Sequence, residues 1–175
     1  MILFYNSYTY FKKNLERDCF LFCVASISGW IGEVIFRSLY SGMLVIPGFL
    51  NGPWCPIYGF GVVGAMHLCK SHSIPLTFLK LFTGATLLEW LTSWAFQLYT
   101  GRLLWDYTMM PLSIGPRINL IFSIVWGLLG LFLLYVIIPK VAKAFQRFPF
   151  LLLLSQVMIV FCMIDFVIKA LQYLA

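Results

Sequence analysis

The chain has 175 residues, 62% of them hydrophobic and only 10% charged, where an ordinary soluble domain carries about 25% charged residues. A soluble domain of this length has no core large enough to hide that much apolar surface, so lipid must solvate much of it. The formal charge of +6 comes without a basic run interleaved with aromatics and without a soluble module to carry one, which excludes nucleic acid as a partner.

At roughly 20 residues per crossing, this length admits about five spans. The expectation is an all-α, polytopic transmembrane helical bundle in a single integral membrane domain, residues 1–175. Residues 1–11 are apolar and aromatic. They lack the basic start and small-residue cleavage site of a signal peptide and read as a segment lying at the interface. The first span covers about residues 19–41. Residues 42–55 are uncharged and hold Pro47, Gly48, Gly52 and Pro53, which marks a loop.

The second span, about residues 56–70, is short for a crossing. Gly59, Gly61 and Gly64 suit it to close helix packing. It reads either as a thin crossing or as half of a re-entrant element. The third span covers about residues 76–100. A second irregular stretch, residues 101–117, contains Pro111, Gly115 and Pro116. The fourth span covers about residues 118–138 and is expected to stop at Pro139, since proline disrupts a helix interior. The fifth covers about residues 150–173.

Basic residues set the expected orientation. Lys12, Lys13 and Arg17 precede the first span, Lys70 and Lys80 flank the join between the second and third, and Lys140, Lys143 and Arg147 lie between the fourth and fifth. The positive-inside rule then puts the N-terminus in the cytoplasm, both irregular loops outside and the C-terminus outside. The expected location is a plasma membrane, as a multi-pass protein of the bacterial inner membrane type.

Helical spacing gathers polar residues into stripes. Ser26, Gly29, Glu33 and Arg37 share a face of the first span. Thr86, Glu89, Ser93, Gln97 and Thr100 share one in the third, Asn119, Ser123, Gly127 and Gly130 in the fourth, and Cys162, Asp165, Lys169 and Gln172 in the fifth. Lipid-facing stripes of this kind are costly, so a bundle with a partly polar interior is expected. Spans one and three each carry a glutamate followed by a Pro/Gly-containing loop and a Gly-rich helix. Those helices read Ile57-Tyr58-Gly59 and Val125-Trp126-Gly127, a weak parallel two-helix repeat.

Glu33 and Glu89 are the sharpest candidates for function. A carboxylate inside a span costs about 2.5–3.5 kcal/mol on insertion scales, so it is neutralised, paired or hydrated. Glu33 precedes Arg37 by four residues, the favourable order for an intrahelical ion pair. Glu89 has no basic residue one turn away and needs a partner from elsewhere or a proton. In the second loop, Arg102, Trp105, Asp106 and Arg117 form the other candidate group. Arginine's planar donor fork suits phosphate or carboxylate, so they read either as an anion site or as Asp106 pinning the loop between arginines. The loop is apolar at Leu103, Leu104, Met109, Met110 and Leu112 and is expected to fold back over the bundle. Asp165 and Lys169 read as an i,i+4 pair. The five cysteines are not a disulfide framework, and His67, Cys69 and His72 match no standard metal-ligand spacing. No cofactor or metal is expected.

Several stretches together resemble a known family: Gly29-Trp30-Ile31-Gly32-Glu33-Val34-Ile35, the run from Gly48 to Gly59 (Gly48-Phe49-Leu50-Asn51-Gly52-Pro53-Trp54-Cys55-Pro56-Ile57-Tyr58-Gly59), Leu88-Glu89-Trp90-Leu91-Thr92-Ser93-Trp94, Trp105-Asp106-Tyr107, Arg117 and Trp126-Gly127. They are similar to the bacterial ABC-transporter type IV (CmpB) membrane family, which vertebrate transmembrane protein 229 also resembles. The resemblance covers about residues 28–139. The chain departs from the family's pattern at Ile46-Pro47, before Gly48-Phe49-Leu50, and at Leu104. The resemblance implies a permease partnered with an ATPase or another membrane subunit. The expected function is a small transport-related protein with an outward-facing polar site for an anionic solute or lipid head group. The alternatives are a membrane-embedded enzyme acting on a lipid-linked anionic head group, with Glu89 or Asp106 as acid/base, and a structural or regulatory membrane protein.

Overall fold

A computed structural model of the chain describes residues 2–69, 73–148 and 150–174, with side chains described outside residues 2–13, 146 and 174. The expectations for the Lys12, Lys13, Lys70 and His72 side chains lie outside the described residues. Among the described residues the protein is all-α apart from one ribbon of two two-residue strands. Its elements are α1 (Ile2–Ser41), α2 (Pro56–Leu68), α3 (Ile74–Thr100), β1 (Ser113–Ile114), β2 (Ile118–Asn119), α4 (Leu120–Phe132), a π-helical turn (Leu133–Ile137), α5 (Ile138–Arg147) and α6 (Phe150–Leu174).

Among the described residues, four helical stretches are long and apolar enough to cross a membrane: Asn14–Ser41, Ile74–Thr100, Leu120–Phe145 and Phe150–Tyr173. The second expected span is the short helix α2. Its 13 residues reach only about 20 Å at 1.5 Å per residue, less than a hydrocarbon core of about 30 Å.

Burial is inverted relative to a soluble protein. The largest side chains that are fully buried are all polar: Asn119, Thr77, Ser26, Ser93, Ser123 and Ser155. Large apolar residues such as Leu98, Phe161 and Met163 are exposed. Hydrocarbon solvent explains this, because lipid gives leucine no reason to hide, while small and polar residues let helices approach and bond one another. Ser26, Glu89, Ser93, Asn119, Ser123, Gly127 and Cys162, all from the four polar stripes, are buried.

The chain divides into two compact units, residues 1–59 with 138–175, and residues 60–137. In the first, α1 packs on α5 and α6. Phe20 stacks on Phe145 with ring centroids 4.9 Å apart, and the Cys23 thiol donates to the Ser155 carbonyl at 3.4 Å. In the second, α3 packs on α4 and on the ribbon. Gly127 lies against the Phe78 ring and Gly130 against Leu81.

Left-handed glycines end α1 and α3. Gly42 (φ 71°) follows α1 and Gly101 (φ 72°) follows α3, a conformation open to glycine without a Cβ penalty. Each donates its N–H back to the fourth residue before it, Ser38 and Gln97. Gly101 also stops α3 well short of Asp106.

One expected boundary is corrected. The fourth span does not stop at Pro139; helix continues through it to Arg147. Proline lacks an N–H and its ring crowds the carbonyl four residues back. The wide π-helical turn at Leu133–Ile137 immediately precedes this site and relieves both problems.

Candidate functional site

Each unit builds polar chemistry around one glutamate. Glu33 sits on α1, and Arg37, one turn later, donates through Nε to its Oε2 at 3.1 Å. The expected intrahelical pair is therefore present. Two residues, one at the end of the following loop and one at the start of α2, complete it. The Tyr58 hydroxyl donates to Glu33 Oε1 at 2.9 Å, and the Cys55 thiol approaches the same oxygen at 4.0 Å. Burial, reinforced by the Glu33 charge, pushes the Cys55 thiol up to about 12. It is a protonated donor and not a nucleophile. The Cys55 N–H is bonded to the Ser26 carbonyl at 3.0 Å, which fixes the loop end on the polar stripe of α1.

Glu89 lies two residues past the middle of Ile74–Thr100, within about 3 Å of mid-span along the axis, and is only 7% exposed. The Tyr107 hydroxyl donates to its Oε1 at 3.2 Å. Tyr107 comes from the second loop, so that loop reaches far down α3. The fold-back has a definite framework. The Tyr107 N–H bonds the Pro116 carbonyl at 3.0 Å and Leu120 N–H the Leu112 carbonyl at 3.1 Å. Tyr107 stacks on Phe122 at 5.2 Å.

Asn119 anchors this framework. It is fully buried and caps α4 by accepting from the N–H groups of Ile121 and Phe122. Its amide donates to the Pro111 carbonyl at 2.7 Å and to Ser113 Oγ at 3.1 Å. The loop tip does otherwise than expected: Met109, Leu112 and Ile114 project outward, Met109 being 96% exposed.

The other loop candidates take separate partners. Arg117 donates through Nη2 to Gln97 Oε1, and its carbonyl accepts from Trp105 Nε1 at 3.1 Å. Asp106 is exposed and accepts from the Thr108 N–H at 2.8 Å and from the Thr108 hydroxyl. Those bonds, the hydroxyl first, hold its carboxyl below the usual range. Arg102 is exposed. Among the described residues, no ion pair joins Asp106 to either arginine. The helical reach from Arg102 to Asp106 is absent because Gly101 has already ended α3. Trp105 and Arg117 are brought together, and Asp106 is engaged by the adjacent turn.

Asp165 keeps Lys169 within electrostatic reach, as its spacing suggests, and adds partners from the first loop. Its carboxylate accepts from the Asn51 amide and from the Gly52 N–H, both at 2.8 Å, and so ties the first loop to α6. The spacing points to Lys169; the loop donors are invisible in the sequence because they lie more than 110 positions away in the chain.

The weak repeat has a structural counterpart. Gly59 lies against Phe22, and Gly127 against Phe78. Phe22 precedes Glu33 by eleven residues, and Phe78 precedes Glu89 by eleven. In each unit the glycine after an aromatic residue packs on the glutamate-bearing helix at the same register. The position four after the glutamate then differs: Arg37 in one unit, Ser93 in the other.

A family model described as "Putative ABC-transporter type IV" matches residues 20–170. No curated protein matches the chain. No solved structure matches it either.

Proposed function

The chain belongs to the ABC-transporter type IV family, and from that premise we propose that it is a small transport-related membrane protein, a permease-like component of a plasma membrane. The reading includes a cytoplasmic N-terminus and polar chemistry on the side of the two loops, built on Glu33 in the first unit and on Glu89, Arg102, Trp105, Asp106 and Arg117 in the second. Its ligand is an anionic solute or an anionic lipid head group. An ATPase or a second membrane subunit is its expected partner.

One observation carries this reading. Each unit keeps a glutamate inside an apolar helix and engages it with a tyrosine hydroxyl delivered from beyond the start of the following loop. Ionisable residues inside membrane spans are costly, face the bundle interior or water, and mark ion and substrate pathways. Arg117 adds a cation whose hydrogen-bond partner is the neutral Gln97 amide, which leaves its charge available to an anion. The exposed Lys140, Lys143 and Arg147 on α5 support the orientation through the positive-inside rule.

The test is flux in sealed vesicles that contain the protein with whatever co-purifies from its native membrane. Gradient- or ATP-driven movement of small phosphate or carboxylate anions should exceed that of empty vesicles. Glu89→Gln, which keeps shape and removes charge, should fold normally and lower that flux by about tenfold, equivalent to ~1.4 kcal/mol in barrier. Absence of flux under every gradient, or equal flux in Glu89→Gln, rejects the reading.

A further inference from the structure

Hydroxyl groups inside α3 and α4 normally satisfy themselves on their own helix. Thr83, Thr86 and Thr100 each donate to the carbonyl four residues earlier, those of Leu79, Phe82 and Phe96. Ser123 does the same to Asn119. Ser93 departs from this habit. It is 0% exposed, and its hydroxyl has no partner in the protein. A buried polar group without a protein partner is served by water wherever there is room.

The neighbours of Ser93 are informative. Glu89 lies one turn before it and Gln97 one turn after it, on the same face of α3. Gln97 accepts from Arg117, and the Arg117 Nε is itself buried without a hydrogen-bond partner. A polar column thus runs from Glu89 through Ser93 and Gln97 to Arg117, over about 12 Å of helix. It ends at the loop, residues 101–117.

The first unit supplies the contrast. Ser26 is also buried and its hydroxyl also lacks a partner. There, however, Gly59 closes the space, since a Cβ at that position would lie 2.5 Å from Ser26 Oγ. Glu33 is already neutralised by Arg37. In the second unit the position equivalent to Arg37 is Ser93, whose hydroxyl can both accept and donate.

We propose that the second unit encloses a short hydrated path along Arg117, Gln97 and Ser93, through which Glu89 exchanges a proton with the water on the side of residues 101–117. In the release step the Glu89 O–H bond breaks and the proton passes to a water bonded to the Ser93 hydroxyl. A proton leaves the far end of the chain of waters beside Arg117. The carboxylate left behind keeps the Tyr107 hydroxyl bond. Uptake is the reverse. Among the described residues, the ionisable groups placed on this column besides Glu89 are Tyr107 from the loop, bonded to Glu89, and Arg117 at its mouth, bonded to Gln97. Helix α4 contributes none. The inference goes beyond the transport reading and holds even for a protein that moves no solute.

The test is infrared spectroscopy of the intact protein in phosphatidylcholine nanodiscs, titrated in pH and transferred from H2O to D2O. A protonated-carboxyl band that is missing in Glu89→Gln should be present and should shift on transfer to D2O. Ser93→Val should slow that shift by about tenfold, as expected when one relay hydrogen bond is lost. Ser93→Thr, which restores the hydroxyl, should recover the wild-type rate, and Ser26→Val should leave it unchanged. Should Ser93→Val fold poorly, Ser93→Ala carries the same comparison. A band that exchanges equally fast without the Ser93 hydroxyl overturns the path. So does a spectrum in which Glu89→Gln removes no band at any pH.

Discussion

Leucine in place of Gly29 is expected to destabilise the protein by about 1–3 kcal/mol and to strip Glu33 of its tyrosine. A Cβ at Gly29 would lie 2.3 Å from Tyr58 Cγ and 2.8 Å from Tyr58 Cβ. The second atom is fixed to backbone, so rotating the ring away does not relieve the overlap. Tyr58 must move, and with it the hydroxyl that donates to Glu33 at 2.9 Å. Gly32 on the same helix is the control, because a Cβ there meets nothing within 4 Å. Gly32→Leu should stay within about 0.5 kcal/mol of the parent. Thermal unfolding of purified protein in one detergent compares the two directly. Equal stability of the Gly29 and Gly32 variants would mean that Tyr58 is not packed as described.

Removal of Arg37 is expected to cost about 2–3 kcal/mol, and removal of Glu33 as well is expected to return most of it. The magnitude decides which solvent the pair sees. The Arg37 and Glu33 side chains are 42% and 23% exposed. In water such a pair contributes less than about 1 kcal/mol, and Arg37→Leu would be nearly silent. In hydrocarbon the same exposed surface meets lipid, and a carboxylate without its cation costs about 2.5–3.5 kcal/mol. Tyr58 and Cys55 soften that penalty without cancelling a charge. Arg37→Leu should therefore unfold at lower denaturant, with Glu33→Leu plus Arg37→Leu close to the parent. A silent Arg37→Leu would place this end of α1 in water.

The spans are legible in the sequence because a long apolar run with almost no charge has to be solvated by lipid, and four such runs are helices of spanning length. The Glu33–Arg37 pair is legible because both members lie on one helix at a fixed spacing. The polar stripes are legible for the same reason. Partners across a loop are not. Tyr58 and Tyr107 read only as members of short motifs, and only the fold-back of each loop turns them toward a glutamate. Gly29 reads as a member of a polar stripe and Gly59 as a residue suited to close packing, but what abuts each of them is not written in the sequence. Pro139 is misleading because proline usually ends a helix, and the adjacent π-turn is not visible as a residue pattern. Pairing Asp106 with Arg102 requires helix past Gly101, whose positive φ rules that out.

The second unit is tied together by one contact above all: Tyr107, carried in by residues 101–117, bonding the buried Glu89 at mid-span. A double-mutant cycle with Tyr107→Phe and Glu89→Gln, read as stability in a denaturant titration, isolates it. If the contact exists, the two changes should couple by about 0.5–1.5 kcal/mol, the worth of one hydrogen bond to a buried partner. Additive effects, agreeing within about 0.3–0.5 kcal/mol, would mean that the loop does not reach Glu89.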